Sequence, residues 1–147
     1  MRAIGGPFSA AETLSFIAAA RSYIGVRWRH QGRSRRGVDC AGLIACALQD
    51  AGRPIEDRTT YGREPYMRSL EIVLHSHFGD PLLAEQMRVG DVALMHFRNG
   101  EPSHVGILGD YLYGGLSLIH AYAKTREVVE HRLDDEWRGR IVEIYRP

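Results

Sequence analysis

Apolar residues recur along this chain with two different periods, and the change between them falls near Asp91. Before it the spacing is helical. Ser9-Ala10-Ala11-Glu12 has the form of a capping box, and Leu14, Ile17 and Ala18 follow three and four residues apart, which predicts a helix over about residues 10–23, stopped by Gly25. Residues 25–38 scatter glycine and serine among arginines with no sustained period and read as a loop. Asp39 is a good N-cap for a second helix, which carries the apolar run Leu43 to Leu48 to about Ala51, with Gly52 and Pro54 as stop signals. Residues 53–65 are polar and turn-rich. Met67, Leu70, Ile72, Val73 and Leu74 predict a third helix that ends before Gly79-Asp80-Pro81.

After Asp91 the pattern is that of strands. Val92–Phe97, His104–Leu108, Leu116–Ala121, Glu127–Leu133 and Ile141–Tyr145 read as five of them, with turn chemistry at Asn99-Gly100 and Gly114-Gly115. Asp134-Asp135-Glu136 reads as the acidic first turn of a short helix. Helices first and antiparallel strands afterwards make an α+β domain, N-terminal helices packed on a C-terminal sheet of about five strands. No repeat or composition shift divides the chain, so residues 1–147 are expected to form a single domain.

Composition narrows this picture only a little. The 147 residues are 44% hydrophobic and 25% charged, with a formal charge of +1, which points to neither disorder nor a nucleic-acid-binding protein. No apolar stretch approaches the roughly 20 residues of a membrane span. The start faintly mimics a signal peptide, but Gly5-Gly6-Pro7 and Glu12 interrupt it, so a retained helix and no cleaved export signal are expected. Lys124 is the only lysine, and Arg27, Arg29, Arg33, Arg35 and Arg36 crowd ahead of Cys40. Such a cluster suits carboxylate groups of a substrate, or simply reflects an arginine-rich composition.

Two cysteines, Cys40 and Cys46, lie six apart in one predicted helix and face different ways, which makes them free thiols. Cys46 reads as core. Cys40 falls in the first helical turn, where the helix dipole favours a thiolate by about 0.3–1 kcal/mol, less than one pKa unit. A histidine must supply the rest of any activation. Seven are available, and two fall on adjacent strands: His104 opens one and His120 ends near the next. If the connecting loop is centred on Leu112, residues whose numbers add to 224 stand opposite each other, and His104 faces His120 as a base faces its orienter. Gly106 would pair with Leu118, and the space beside it would receive the cysteine helix. A slip of one residue would put the two rings on opposite faces.

Several motifs in order carry a family resemblance: Tyr23-Ile24-Gly25, Gly37-Val38-Asp39-Cys40-Ala41-Gly42-Leu43, Arg88-Val89-Gly90-Asp91-Val92-Ala93, Ser103-His104-Val105-Gly106-Ile107 and Ile119-His120-Ala121. Together they resemble the NlpC-type cell-wall cysteine peptidases over about residues 10–123. The loop Arg29-His30-Gln31-Gly32-Arg33 looks most like the branch found in phage tail and gene-transfer-agent clusters. The resemblance implies a papain-like fold and hydrolysis of peptidoglycan stem peptides, commonly after γ-D-glutamate, through a thioester. It makes Cys40 the nucleophile, His104 the general base and His120 its orienter, and nominates Trp28, Asp39 and Ser103 for substrate binding. It implies no cofactor and no metal. Its expected partners are stem peptides and phage tail or gene-transfer-agent proteins, with no nucleic acid. Its expected place is a virion or tail acting at the wall after synthesis in the cytoplasm. Two departures stand out: Ala41 replaces the serine usual after the cysteine, and Trp28 stands where a tyrosine is common.

Other readings remain open on sequence. A tail or assembly module could keep the fold without turnover, and a related thiol amidase or acyltransferase would use the same residues on another amide. A zinc site from Cys40, His96, His104 and His120 has ordinary ligands, but no close-spaced ligand pair supports it.

Overall fold

Ser9 starts the first helix as the sequence predicts. Its hydroxyl accepts from the Glu12 N–H at 3.2 Å while the Glu12 carboxylate accepts from the Ser9 N–H at 3.0 Å, and helix α1 (Ala10–Arg21) buries Phe16, Ile17 and Ala20. The computed structural model describes residues 6–55, 67–97 and 104–147. Most of the turn-rich segment before the third helix, the Asn99-Gly100 turn and Ser103 lie outside the described residues.

The basic segment after α1 is more ordered than its lack of period implied. The Gly25 N–H donates to Val128 O and the Trp28 N–H to Arg126 O. Arg33–Ser34 and Gly37–Val38 then pair as a small antiparallel ladder, β1 and β2. Two residues per strand are too few to leave a periodic signal. Asp39 caps helix α2 (Cys40–Asp50), which is buried without interruption from Gly42 to Leu48. A helix apolar on all sides belongs in the middle of a fold. Helix α3 (Met67–Phe78) adds Leu74 and Phe78 to the same core.

Five strands follow: β3 (Val92–Met95), β4 (His104–Asp110), β5 (Leu116–Tyr122), β6 (Glu127–Arg132) and β7 (Ile141–Tyr145), with helix α4 (Asp135–Arg138) before the last. They form one antiparallel sheet in the order β6-β5-β4-β3-β7. A 3₁₀ turn at Ala84–Gln86 was not foreseen. Alternation along the strands splits the core in two. Val92, Leu94, Val105, Ile107, Ile119 and Ala121 pack with Leu43, Ile44 and Leu48 of α2, whereas Ala93, Met95, Leu108, Leu118 and Ile144 form a second cluster with Leu133 and Trp137.

The β4–β5 register differs from the expectation by two residues. Ile107 stands opposite Ile119 and Leu108 opposite Leu118, so the turn is centred on Tyr113 and not on Leu112. Gly114 and Gly115 both take positive φ, 96° and 78°, and the Tyr111 N–H closes on Gly115 O, which shifts the turn toward the glycines. A shift of two preserves the face, so His104 and His120 still share one. That face is the second, away from α2. The space beside Gly106 is filled by Leu118 and His120, not by the cysteine helix. Among the described residues no helix is long and apolar enough to cross a membrane.

Candidate active site

Asp39 organises the start of α2. Its Oδ1 accepts from the Gly42 N–H at 2.8 Å and from Arg33 at 3.0 Å, and its Oδ2 accepts from the Gln31 N–H at 2.8 Å. Gln31 sits in the left-handed region, φ 59°, and that hydrogen bond helps hold it there. Gly42 lies so close to Gly32 that a side chain at Gly42 would collide with the Gly32 carbonyl. The basic loop is thereby fastened to the helix end that presents Cys40. Arg35 lies over the Tyr23 ring at 4.1 Å and donates to Ser22, while Arg27, Arg29 and Arg36 are exposed.

Cys40 is buried, and backbone hydrogen bonds from Val105 and Ala41 reach its thiol. The Val105 N–H belongs to the peptide unit that joins it to His104, so the sulfur meets β4 at the residue boundary carrying the imidazole. His104 Nε2 lies 2.7 Å from His120 Nδ1. Cys40 thus reaches the start of β4 from the α2 side through the Val105 amide, and the two imidazoles project from the other face of the same strand.

Three aromatic rings enclose the histidines. Phe97 lies 4.9 Å from the His104 ring, Tyr122 stacks on His120 at 5.2 Å, and Trp137 meets His120 edge-on at 4.9 Å. His131 continues the line, its Nε2 2.8 Å from His120 Nε2. Arg140 lies over both Phe97 and Trp137, each at 5.3 Å, and donates to the Phe97 carbonyl and to Glu136.

Burial decides the charge states. It pushes the Cys40 thiol up to about 12, the neighbouring Asp39 carboxylate adds to the rise, and the Val105 and Ala41 amides offset only part of it. His104 is pushed down to about 3 by burial and by the Arg140 charge, and His120 to about 2 by burial and the imidazoles beside it. The helix start was expected to favour a thiolate. In the closed site both partners are instead neutral, because desolvation outweighs a helix dipole worth about 0.3–1 kcal/mol.

Of the residues nominated on sequence, His104 and His120 are joined directly and Cys40 reaches the same peptide. Asp39 is 4% exposed with both oxygens engaged in the fold, and Trp28 is half-buried against the cluster that contains Cys40. Ser103 lies outside the described residues. His131, Phe97, Tyr122, Trp137 and Arg140 were missed. Only His131 left a usable signal: the β5–β6 ladder pairs Leu118 with His131 and His120 with Val129, so it stands diagonal to His120 on the same face. The three imidazoles are strung ring to ring and do not converge. Among the described residues no group of three or more His, Cys, Asp or Glu is placed to hold a metal ion.

The pattern of the NlpC/P60 family matches residues 25–146. Among curated proteins, the Escherichia coli K12 murein DD-endopeptidase MepS/murein LD-carboxypeptidase is 26% identical over 123 residues, 83% of this chain and 56% of that protein. The chain thus spans little more than half the length of that relative. Among solved structures, the NlpC/p60 domain of the peptidoglycan hydrolase SagA superposes with a TM-score of 0.62 at 24% identity, covering 92% of this chain and 98% of that one. The Mycobacterium tuberculosis peptidoglycan hydrolase RipB gives 0.63 at 19% identity, covering 97% and 72%. These likenesses support the α+β fold described above.

Proposed function

The chain belongs to the NlpC/P60 family, and we propose that it is a cysteine peptidase hydrolysing peptide stems of bacterial peptidoglycan. One observation carries this reading: the Cys40 thiol rests on the His104–Val105 peptide beside the 2.7 Å His104–His120 pair. The curated relative named for murein endopeptidase and carboxypeptidase activity supports the substrate class.

In this reading Cys40 Sγ attacks the carbonyl carbon of a stem amide while its proton passes to His104. The backbone N–H of Cys40, at the start of α2, faces the developing oxyanion. The imidazolium returns the proton to the leaving amine, and a thioester remains. His104 then draws a proton from water as its oxygen attacks the thioester carbon, and the C–S bond breaks. The departing thiolate takes the proton back from the imidazolium, and the acid product leaves as a carboxylate with its proton lost to solvent. His120 orients the His104 ring throughout. The resemblance nominates Trp28 and Ser103 for substrate contact, and Asp39 acts by fixing the basic loop that carries Trp28. The family resemblance supports cleavage at the bond after γ-D-glutamate, the reaction of a D,L-endopeptidase. Residues 1–147 act as one domain. The likeness of the loop Arg29–Arg33 to the phage tail and gene-transfer-agent branch supports a role in such a particle, made in the cytoplasm and acting at the wall.

Defined muropeptides incubated with the protein and with Cys40→Ala, products identified by mass, test the proposal. Cleavage by the wild type alone is expected. Equal cleavage by both proteins overturns the role of Cys40. Cleavage by neither, across several stem types, favours an assembly module, and turnover of other amides alone favours an amidase or acyltransferase.

A further inference from the structure

The hydrogen-bonded line through His104 and His120 has a defined end. His120 Nε2 lies 2.8 Å from His131 Nε2, and His131 Nδ1 lies 2.9 Å from the carbonyl oxygen of Arg132. A carbonyl oxygen only accepts, so the hydrogen of that last bond sits on His131 Nδ1. A neutral imidazole carries one N–H, which leaves His131 Nε2 an acceptor. His120 must then donate from Nε2 and accept at Nδ1. His104 in turn must donate from Nε2, and its Nδ1 keeps a lone pair.

We propose that His131 is a positioning residue which, anchored by the Arg132 carbonyl, sets one polarity for the His131–His120–His104 chain and so leaves His104 Nδ1 as the base. The role rests on the reading of Cys40 and His104 as nucleophile and base. It follows from burial as much as from distance. His120 is fully buried and His104 4% exposed, so no bulk water competes for their ring nitrogens, and only the next ring in line decides which nitrogen carries the hydrogen. His131 is half-buried, with the Trp137 ring 5.2 Å away. In the opposite polarity His120 would donate from Nδ1, His104 would accept at Nε2, and its hydrogen would occupy Nδ1. The thiol proton would then have no acceptor. In the proposed polarity that proton goes to His104 Nδ1 as the sulfur–carbon bond forms. The Nε2 hydrogen stays on His104, facing His120, and no proton travels along the chain.

Nitrogen NMR of the full chain labelled with ¹⁵N-histidine reads the tautomers directly, without substrate. The expected wild-type spectrum at neutral pH has His104 protonated at Nε2 and bare at Nδ1. His131→Phe keeps a ring beside Trp137 but removes the acceptor. It is expected to give His104 mixed tautomers, with kcat lower by about 10- to 100-fold and KM unchanged, by analogy with the loss of the outer partner that orients a metal-bound histidine. His131→Gln, whose carbonyl accepts from His120, is expected to restore both the spectrum and most of kcat. Two results overturn the proposal: His104 protonated at Nδ1 in the wild type, or a His104 tautomer unchanged in His131→Phe. Failure of Cys40 as nucleophile would appear in the product assay and leave these spectra unaffected.

Discussion

The His120 ring reaches His104 diagonally across the β4–β5 ladder, Nδ1 to Nε2 at 2.7 Å, over the bare backbone of Gly106. A Cβ on Gly106 would stand 2.6 Å from Leu118 Cδ1 and 3.1 Å from His120 Cβ. The absent side chain is what lets the two imidazoles meet.

Gly106→Ala is therefore expected to push His120 off its line to His104. Overpacking of this kind costs about 1–3 kcal/mol. Loss of the His104–His120 bond should lower kcat at least about tenfold while the protein still folds. Melting temperature and turnover on a muropeptide, measured together, check it; full activity would show that the ring contact is dispensable.

Thiol reactivity should report the neutral resting pair. With the Cys40 pKa near 12, alkylation by iodoacetamide in a Cys46→Ala background is expected to quicken about tenfold per pH unit from 7 to 10. A rate already level at pH 6 would mean a thiolate–imidazolium pair.

Acid stability follows from the two histidines. Their ordinary value is 6.5, and in the fold they are held near 3 and 2. Below pH 6.5 the unfolded chain therefore binds protons that the folded chain refuses. Each histidine lowers stability by up to about 1.4 kcal/mol per pH unit as pH falls toward its folded value. Denaturant midpoints between pH 7 and 4 should drop steeply, and His120→Asn should flatten that limb. Arg140→Met, by removing a cation that depresses His104, should raise the His104 pKa in an NMR titration.

Asp39 links stability to reactivity with opposite signs. Asp39→Ala removes the cap of α2 and the partner of the Gln31 N–H and of Arg33, a loss of about 2 kcal/mol or more. The same change removes a carboxylate that raises the Cys40 pKa. Thermal unfolding should show a less stable protein, and alkylation a more reactive thiol. Asp39→Asn, still a good cap, should recover much of the stability and keep the faster alkylation.

How much was legible in the chain depended on how local the determinants were. The capping box at Ser9–Glu12, the Asp39 cap, the apolar run through Leu48 and the alternation in β3 to β7 are set by neighbours in sequence, and all five strands and the helices they predicted are present. The shared face of His104 and His120 was also readable, since it depends only on the parity of the ladder. Its register was not, because two left-handed glycines moved the turn by one residue and the pairing by two.

The sequence alone determined that a cysteine begins a buried helix and that two histidines lie on one side of a hairpin. Tertiary structure decided which side that is, closed the Phe97, Tyr122 and Trp137 rings around the imidazoles, and placed His131 and the Arg132 carbonyl at the end of their line. It also decided the charges. Desolvation depends on what every other segment brings against a group, and no spacing of Cys40, His104 and His120 along the chain reveals that their closed site holds them neutral.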